Sequence, residues 1–148
     1  MVDKGTGFTV LVAALLAGCG ASEFRPVDIY PEDMCAHCRM AVTDQRFACE
    51  IITGDREAFK FDDIACMEAF RNDHPATVVA AAFVKDFDSK TWISLDRARV
   101  MQTGVSTPMG SGRVAFADSL KAATFAAEHP LTTVATDTAR GGCCGEER

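Results

Sequence analysis

Sliding the chain over itself by 55 residues brings Phe61 onto Phe116, Asp63 onto Asp118, Phe70 onto Phe125, and His74-Pro75 onto His129-Pro130. Thr77 then falls on Thr132 and Val79-Ala80 on Val134-Ala135, eight identities in twenty positions. Chance would give about one or two, so the spacing reads as an internal duplication. A duplicated unit must bury the same face twice, which constrains the fold more than any local propensity. Each copy opens on a strand-like run, Phe47 to Thr53 in the first and Thr91 to Leu95 in the second. A turn and a second run follow, Glu57 to Phe61 and Arg113 to Phe116,. Asp63 and Asp118 stand where a helix N-cap belongs, and both helices stop before a proline,. Thr77 to Val84 supplies a third strand. The expected fold is α+β: two tandem ββαβ units, residues 33–88 and 89–136, with Phe70 and Phe125 in their cores. His74 and His129 are expected to end the helices, their imidazoles near the last carbonyls,.

Ahead of the first copy runs Asp33-Met-Cys-Ala-His-Cys-Arg-Met-Ala-Val42. Two cysteines separated by two residues can turn both sulfurs to one point, and Met40 adds a thioether from the emerging strand. Two thiolates and a thioether form a soft set, which selects Cu(I) where Zn(II) would favour thiolate with imidazole. His37 could add a nitrogen ligand. Other readings of Cys35 and Cys38 stay open: a short-loop disulfide, which stabilises little; the redox pair of a thiol-disulfide oxidoreductase; or a closed zinc site completed by Cys66 and Asp62,. Cys49, among alternating apolar neighbours, reads as a small buried hydrophobe,.

The compartment follows from residues 1–18. Lys4 precedes an apolar run, Phe8 to Ala17, far short of the ~20 residues that span a bilayer,. The run ends in Leu16-Ala17-Gly18-Cys19, which resembles the cleavage box of bacterial lipoproteins. That resemblance implies cleavage before Cys19, lipid on its sulfur, and a mature chain tethered by residues 19–32 and facing the periplasm. Gly20 lacks the acidic character associated with inner-membrane retention, so the outer membrane is expected over the inner. A net charge of −6 with no Lys/Arg cluster excludes a nucleic-acid partner,. Residues 137–148 read as a loose tail, with Cys143 and Cys144 as accessory thiols,.

The string Cys35-x-x-Cys38-x-Met40-x-Val42, then Asp44-x-Arg46-Phe47-Ala48, then Phe61-Asp62-Asp63-Ile64-x-Cys66-Met67, resembles the NosL family. Thr107-Pro-Met-Gly-Ser-Gly112 followed by Ala115-Phe116 resembles that family's second signature. The resemblance implies a non-enzymatic, copper-binding accessory lipoprotein of nitrous oxide reductase. Its partners would be the apo-reductase and an ABC-type maturation transporter. It also implies that Met109, at a Gly/Ser-rich loop tip, meets Cys35, Cys38 and Met40 across the two halves, with Asp62, Asp63 and Cys66 in support. The first half further resembles treble-clef domains of the TRASH/YHS kind, with aspartate at Asp62 in place of a cysteine. The second copy carries Lys90, Ile93, Ala117 and Lys121 where the first has Cys35, Cys38, Asp62 and Cys66. The thiolates are therefore expected in one half only.

Overall fold

A computed structural model describes residues 24–131 of the chain. The lipidation position Cys19, the signal segment, the tail with Cys143 and Cys144, and the expected last strand of the second copy lie outside the described residues. No helix among the described residues is long and apolar enough to cross a membrane.

Among the described residues eight elements follow in order: β1 (Cys49–Thr53), β2 (Ala58–Phe61), α1 (Ile64–Asp73), β3 (Val79–Lys85), β4 (Trp92–Ser94), β5 (Arg99–Gln102), β6 (Arg113–Phe116) and α2 (Ser119–Glu128). Strands β2-β1-β3-β4 form one antiparallel sheet, and β5-β6 a separate pair. All five residues of β1 are buried, as suits a central strand with cover on both faces. Ile51 packs into the core shared with α1, while the Glu50 carboxylate accepts the Val27 N–H of the incoming segment.

That incoming segment differs from expectation. From Phe24 onward it is not a free tether. Ile29 is buried, Lys60 Nζ donates to the Asp28 carbonyl at 2.7 Å, and the Arg56 guanidinium lies 5.3 Å from the Phe24 ring centroid. Apolar periodicity is absent there because this stretch is held by backbone and cation–π contacts rather than by a repeating face.

The two helices are built alike. Asp63 accepts the Ala65 N–H at 2.8 Å; Asp118 accepts those of Leu120 and Lys121 at 2.7 and 3.1 Å. Each satisfies donors that a helix start leaves orphaned. His74 and His129 close the far ends: each Nδ1 sits 2.9 or 3.0 Å from the carbonyl of Phe70 or Phe125. A carbonyl oxygen only accepts, so Nδ1 carries the proton in both rings. Each imidazole also stacks on that phenylalanine, centroids 4.2 and 4.1 Å apart. Phe70 packs against Phe59 and Phe61, and Phe125 against Phe87 and Phe116. Phe70 is a core residue as expected, but Phe125 is only half-buried, because α2 buries little beyond Ala122.

One strand assignment is corrected. Thr91 to Leu95 was expected to open the second unit, yet Trp92–Ser94 pairs with β3 and widens the first sheet. The Asp86 side chain accepts the N–H groups of Asp88 and Ser89, and Lys90 takes φ +57°, so the chain doubles straight back,. Alternation identifies a strand but not its partner. The strand that pairs with β6 is β5.

The halves share apolar and polar contacts: Phe47 is buried with Val114, Phe116 and Ala122, and Lys121 Nζ lies 3.3 Å from Asp88 Oδ2. Asp86 accepts the Ala117 N–H at 2.8 Å, Phe87 N–H donates to the Ala115 carbonyl at 2.8 Å, and Arg113 pairs with Glu68. A further link runs through Asp63, beside the thiols.

Candidate metal centre

The Cys-x-x-Cys segment is a tight knuckle. Met34 and Ala41 form an antiparallel bridge, Cys35 N–H donates to the Met40 carbonyl at 2.7 Å, and Arg39 N–H returns to the Cys35 carbonyl at 3.0 Å. Arg39 turns the corner with φ +65°. The knuckle docks on the end of β2, where Ala36 N–H donates to the Lys60 carbonyl at 2.8 Å. That register carries Cys35 and Cys38 to the point where the chain leaves Phe61, passes Asp62 and enters α1. Cys66 lies in the first turn of that helix.

The result is one cluster. A sulfur from each of Cys35, Cys38 and Cys66 and a carboxylate oxygen of Asp62 all lie within 4.8 Å of one another. Metal–thiolate bonds of about 2.3 Å place tetrahedral donors about 3.8 Å apart and opposed donors about 4.6 Å apart, so the cluster needs only a small contraction onto one ion. Cys35, Asp62 and Cys66 are buried, and Cys38 is the member that reaches solvent. All three thiols are free. Cys38 Sγ lies 3.5 and 3.6 Å from the two Asp62 oxygens and donates to them.

Burial pushes the Cys35 thiol up, partly offset by nearby backbone N–H groups. Burial pushes the Cys66 thiol well up, and the Asp62 carboxylate and Cys35 add to it. A helix N-terminus ordinarily favours thiolate, but here desolvation and crowding of like charge outweigh it. Without a cation these two thiols keep their protons at neutral pH. A thiophilic ion would displace them and supply the missing countercharge.

Several sequence expectations are placed elsewhere. His37 Nδ1 faces Asp73 Oδ2 at 3.5 Å, outside the four-donor group. Cys49 is fully buried in β1, in the same core as Cys35 and Cys66, and donates to the Phe47 carbonyl at 3.2 Å, outside the four-donor group. Met40 and Met109 stand at the surface, 47% and 44% exposed. Asp63 is turned from the cluster to the 107–112 loop, where it accepts from Thr107 and Ser111 and from the Met109 N–H at 3.1 Å. Asp62 and Cys66, read as supporting residues, sit in the cluster on equal terms with the knuckle cysteines. The Phe61-Asp62-x-x-x-Cys66 spacing was the available signal. Met34, 54% exposed, precedes Cys35 in the knuckle, and a lone methionine carries no sequence pattern.

Fold and cluster together define a small mixed α/β protein with a cysteine-rich site able to hold a metal ion. The sequence model of the NosL family matches residues 26–138, most of the chain, and the chain belongs to the NosL family. Its fold is similar to the crystal structure of the copper chaperone NosL from Shewanella denitrificans, with a TM-score of 0.64 at 18% identity over 72% of this chain and 89% of that one. No curated protein matches.

Proposed function

We propose that this chain is a Cu(I) carrier that delivers copper for assembly of the copper centres of nitrous oxide reductase. The observation that carries the reading is the cluster itself: three free thiols converge within 4.8 Å, and one of them is reachable from solvent. A soft ion suits sulfur, and an accessible thiol gives a receiving protein a place to begin exchange. Family membership and the fold shared with a protein described as a copper chaperone support the choice of copper. In this reading Cys35 and Cys38 bind as thiolates, with Met40 and Met109 as thioether ligands from the surface and Cys66 and Asp62 closing the site from beneath.

The knuckle, hairpin and helix follow one another in treble-clef order, and we take the two halves to be copies of one ancestral ββαβ unit. The carrier has no catalytic task. It is held by lipid on Cys19 at the periplasmic side of the outer membrane, and it exchanges copper with the apo-reductase and an ABC-type maturation transporter.

Four donors, three of them thiols, are also a complement that Zn(II) accepts. Competition therefore decides. Reduced protein titrated with Cu(I) against a Cu(I) chelator, and separately with Zn(II), is expected to hold one Cu(I) far more tightly than zinc. Comparable or tighter zinc binding at Cys35 and Cys38 overturns the copper assignment. A thiol-disulfide oxidoreductase would instead cycle Cys35 and Cys38 at a defined potential without needing Met40 or Met109. The buried, proton-retaining Cys35 is poorly suited to that chemistry.

A further inference from the structure

The Asp63 carboxylate is fully buried and accepts four hydrogen bonds. One is the helix cap, from Ala65 N–H at 2.8 Å. The other three come from a loop more than forty residues away: Thr107 Oγ1 at 2.6 Å, Ser111 Oγ at 2.7 Å and Met109 N at 3.1 Å. The equivalent aspartate in the second half, Asp118, caps its helix from an exposed position and holds no such loop. Capping alone therefore does not account for what surrounds Asp63.

The loop is a preformed turn. Gly110 N–H returns to the Thr107 carbonyl at 2.9 Å, with Pro108 second and Met109 third in the turn,. Gly110 and Gly112 both take φ +67°, and a Cβ on Gly112 would fall 2.2 Å from the Thr103 carbonyl oxygen. The base is fixed by the Thr103 hydroxyl and N–H, which meet the Gly112 carbonyl at 2.9 and 2.8 Å. Held at its base, the turn still needs a second attachment to fix the direction of its tip. Asp63 provides it, and its neighbour Asp62 belongs to the thiol cluster. One Asp-Asp step thus joins the metal cluster to the methionine turn.

We propose that Asp63 is a positioning residue: it clasps the Thr107–Ser111 turn so that Met109 is held at the thiol cluster, and it acts on metal retention only through Met109. The proposal rests on the reading that Met109 ligates the ion. Charge-assisted bonds to a buried carboxylate are stronger than neutral ones. Asp63→Asn keeps the size and the capping oxygen but weakens the clasp, since an amide cannot accept on both of its arms.

The test is a double-mutant cycle on reduced protein loaded with one Cu(I), reading the rate of release to an excess of a Cu(I) chelator. Met109→Ser and Asp63→Asn are each expected to speed release, by about tenfold for the loss of one good contact, and the double variant is expected to match Met109→Ser alone. Amide hydrogen exchange of the metal-free proteins reads the clasp directly: Asp63→Asn should deprotect Met109 and Ser111. Ser111→Ala, a milder cut at the same clasp, should shift both readouts in the same direction. If Met109→Ser speeds release and Asp63→Asn does not, or if the Asp63→Asn effect persists undiminished in the Met109→Ser background, the positioning role is overturned while the ligand reading stands. If Met109→Ser leaves release unchanged, the ligand reading fails and the proposal with it. Unchanged exchange at Met109 and Ser111 in Asp63→Asn removes the clasp whatever copper does.

Discussion

Glu50 sits in the middle of β1 with none of its surface exposed, and among the described residues its hydrogen-bond donor is the Val27 N–H, at 3.0 and 3.3 Å from its two oxygens. Burial raises its carboxyl from 4.5 to about 7. Lys60 and Lys85 and the Val27 N–H pull it down, and Asp33 pushes it further up; none of these cancels the cost of burying the charge. Between those two values the folded protein holds a proton that the unfolded chain has released. Stability from this group is therefore fully present below pH 4.5 and is lost as pH rises towards and through 7,. Carrying a carboxyl across that interval corresponds to about 3 kcal/mol. Glu50→Gln cannot ionise and its amide oxygen still accepts from Val27. Urea unfolding of reduced, metal-free parent and variant at a series of pH values from 4.5 to 8 isolates the term. Other carboxylates, such as Asp33 and Asp44, which lie below their usual range, cancel in the difference. The variant is expected to match the parent at the acid end and to exceed it by about 3 kcal/mol at pH 8. A constant difference across the series, or a variant less stable at pH 8, would refute the claim that Glu50 is ionised at a cost.

Cys66→Ser should cost Cu(I) affinity about as much as Cys38→Ser, roughly a hundredfold or more, despite its distance in sequence from the knuckle; a chelator competition showing near-parental affinity would remove it from the site. Because burial raises the Cys35 and Cys66 thiols, Cu(I) binding must displace protons that persist above neutrality, so apparent affinity should keep climbing with pH past 8; a flat profile points to thioether ligation alone. Asp118→Ala, which loses two exposed capping bonds, should cost about 1 kcal/mol,. Asp63→Ala strands four donors around a buried position and should cost roughly 3 kcal/mol or more by chemical denaturation; equal losses would mean that the clasp adds nothing to the cap,.

Much of this was legible because the features involved are local. The caps at Asp63 and Asp118 and the helix-ending histidines depend on residues within four positions of one another, which is the range over which sequence reports backbone hydrogen bonding. Cys35-x-x-Cys38 is equally local. What sequence leaves open is which distant segments meet. The strand Trp92–Ser94 shows its alternation but not whether β3 or β6 is its neighbour, and the non-periodic segment after Phe24 gives no sign that it lies against β1.

The cluster illustrates the same limit with a functional consequence. A soft-ligand argument ranks Met40 above Asp62, since a thioether suits Cu(I) and a carboxylate does not. Burial reverses their places in the structure: Asp62 is enclosed among three thiols, while Met40 stays nearly half exposed. A carboxylate so placed needs partners, and thiol protons supply them until a cation arrives,. Asp62 therefore has a task in the metal-free protein, keeping Cys38 hydrogen-bonded, that a fourth cysteine could not perform as well, because sulfur is the weaker acceptor. For the proposed carrier, which would exist both loaded and empty, stabilising the empty site matters as much as holding the ion, and an aspartate at position 62 serves both states.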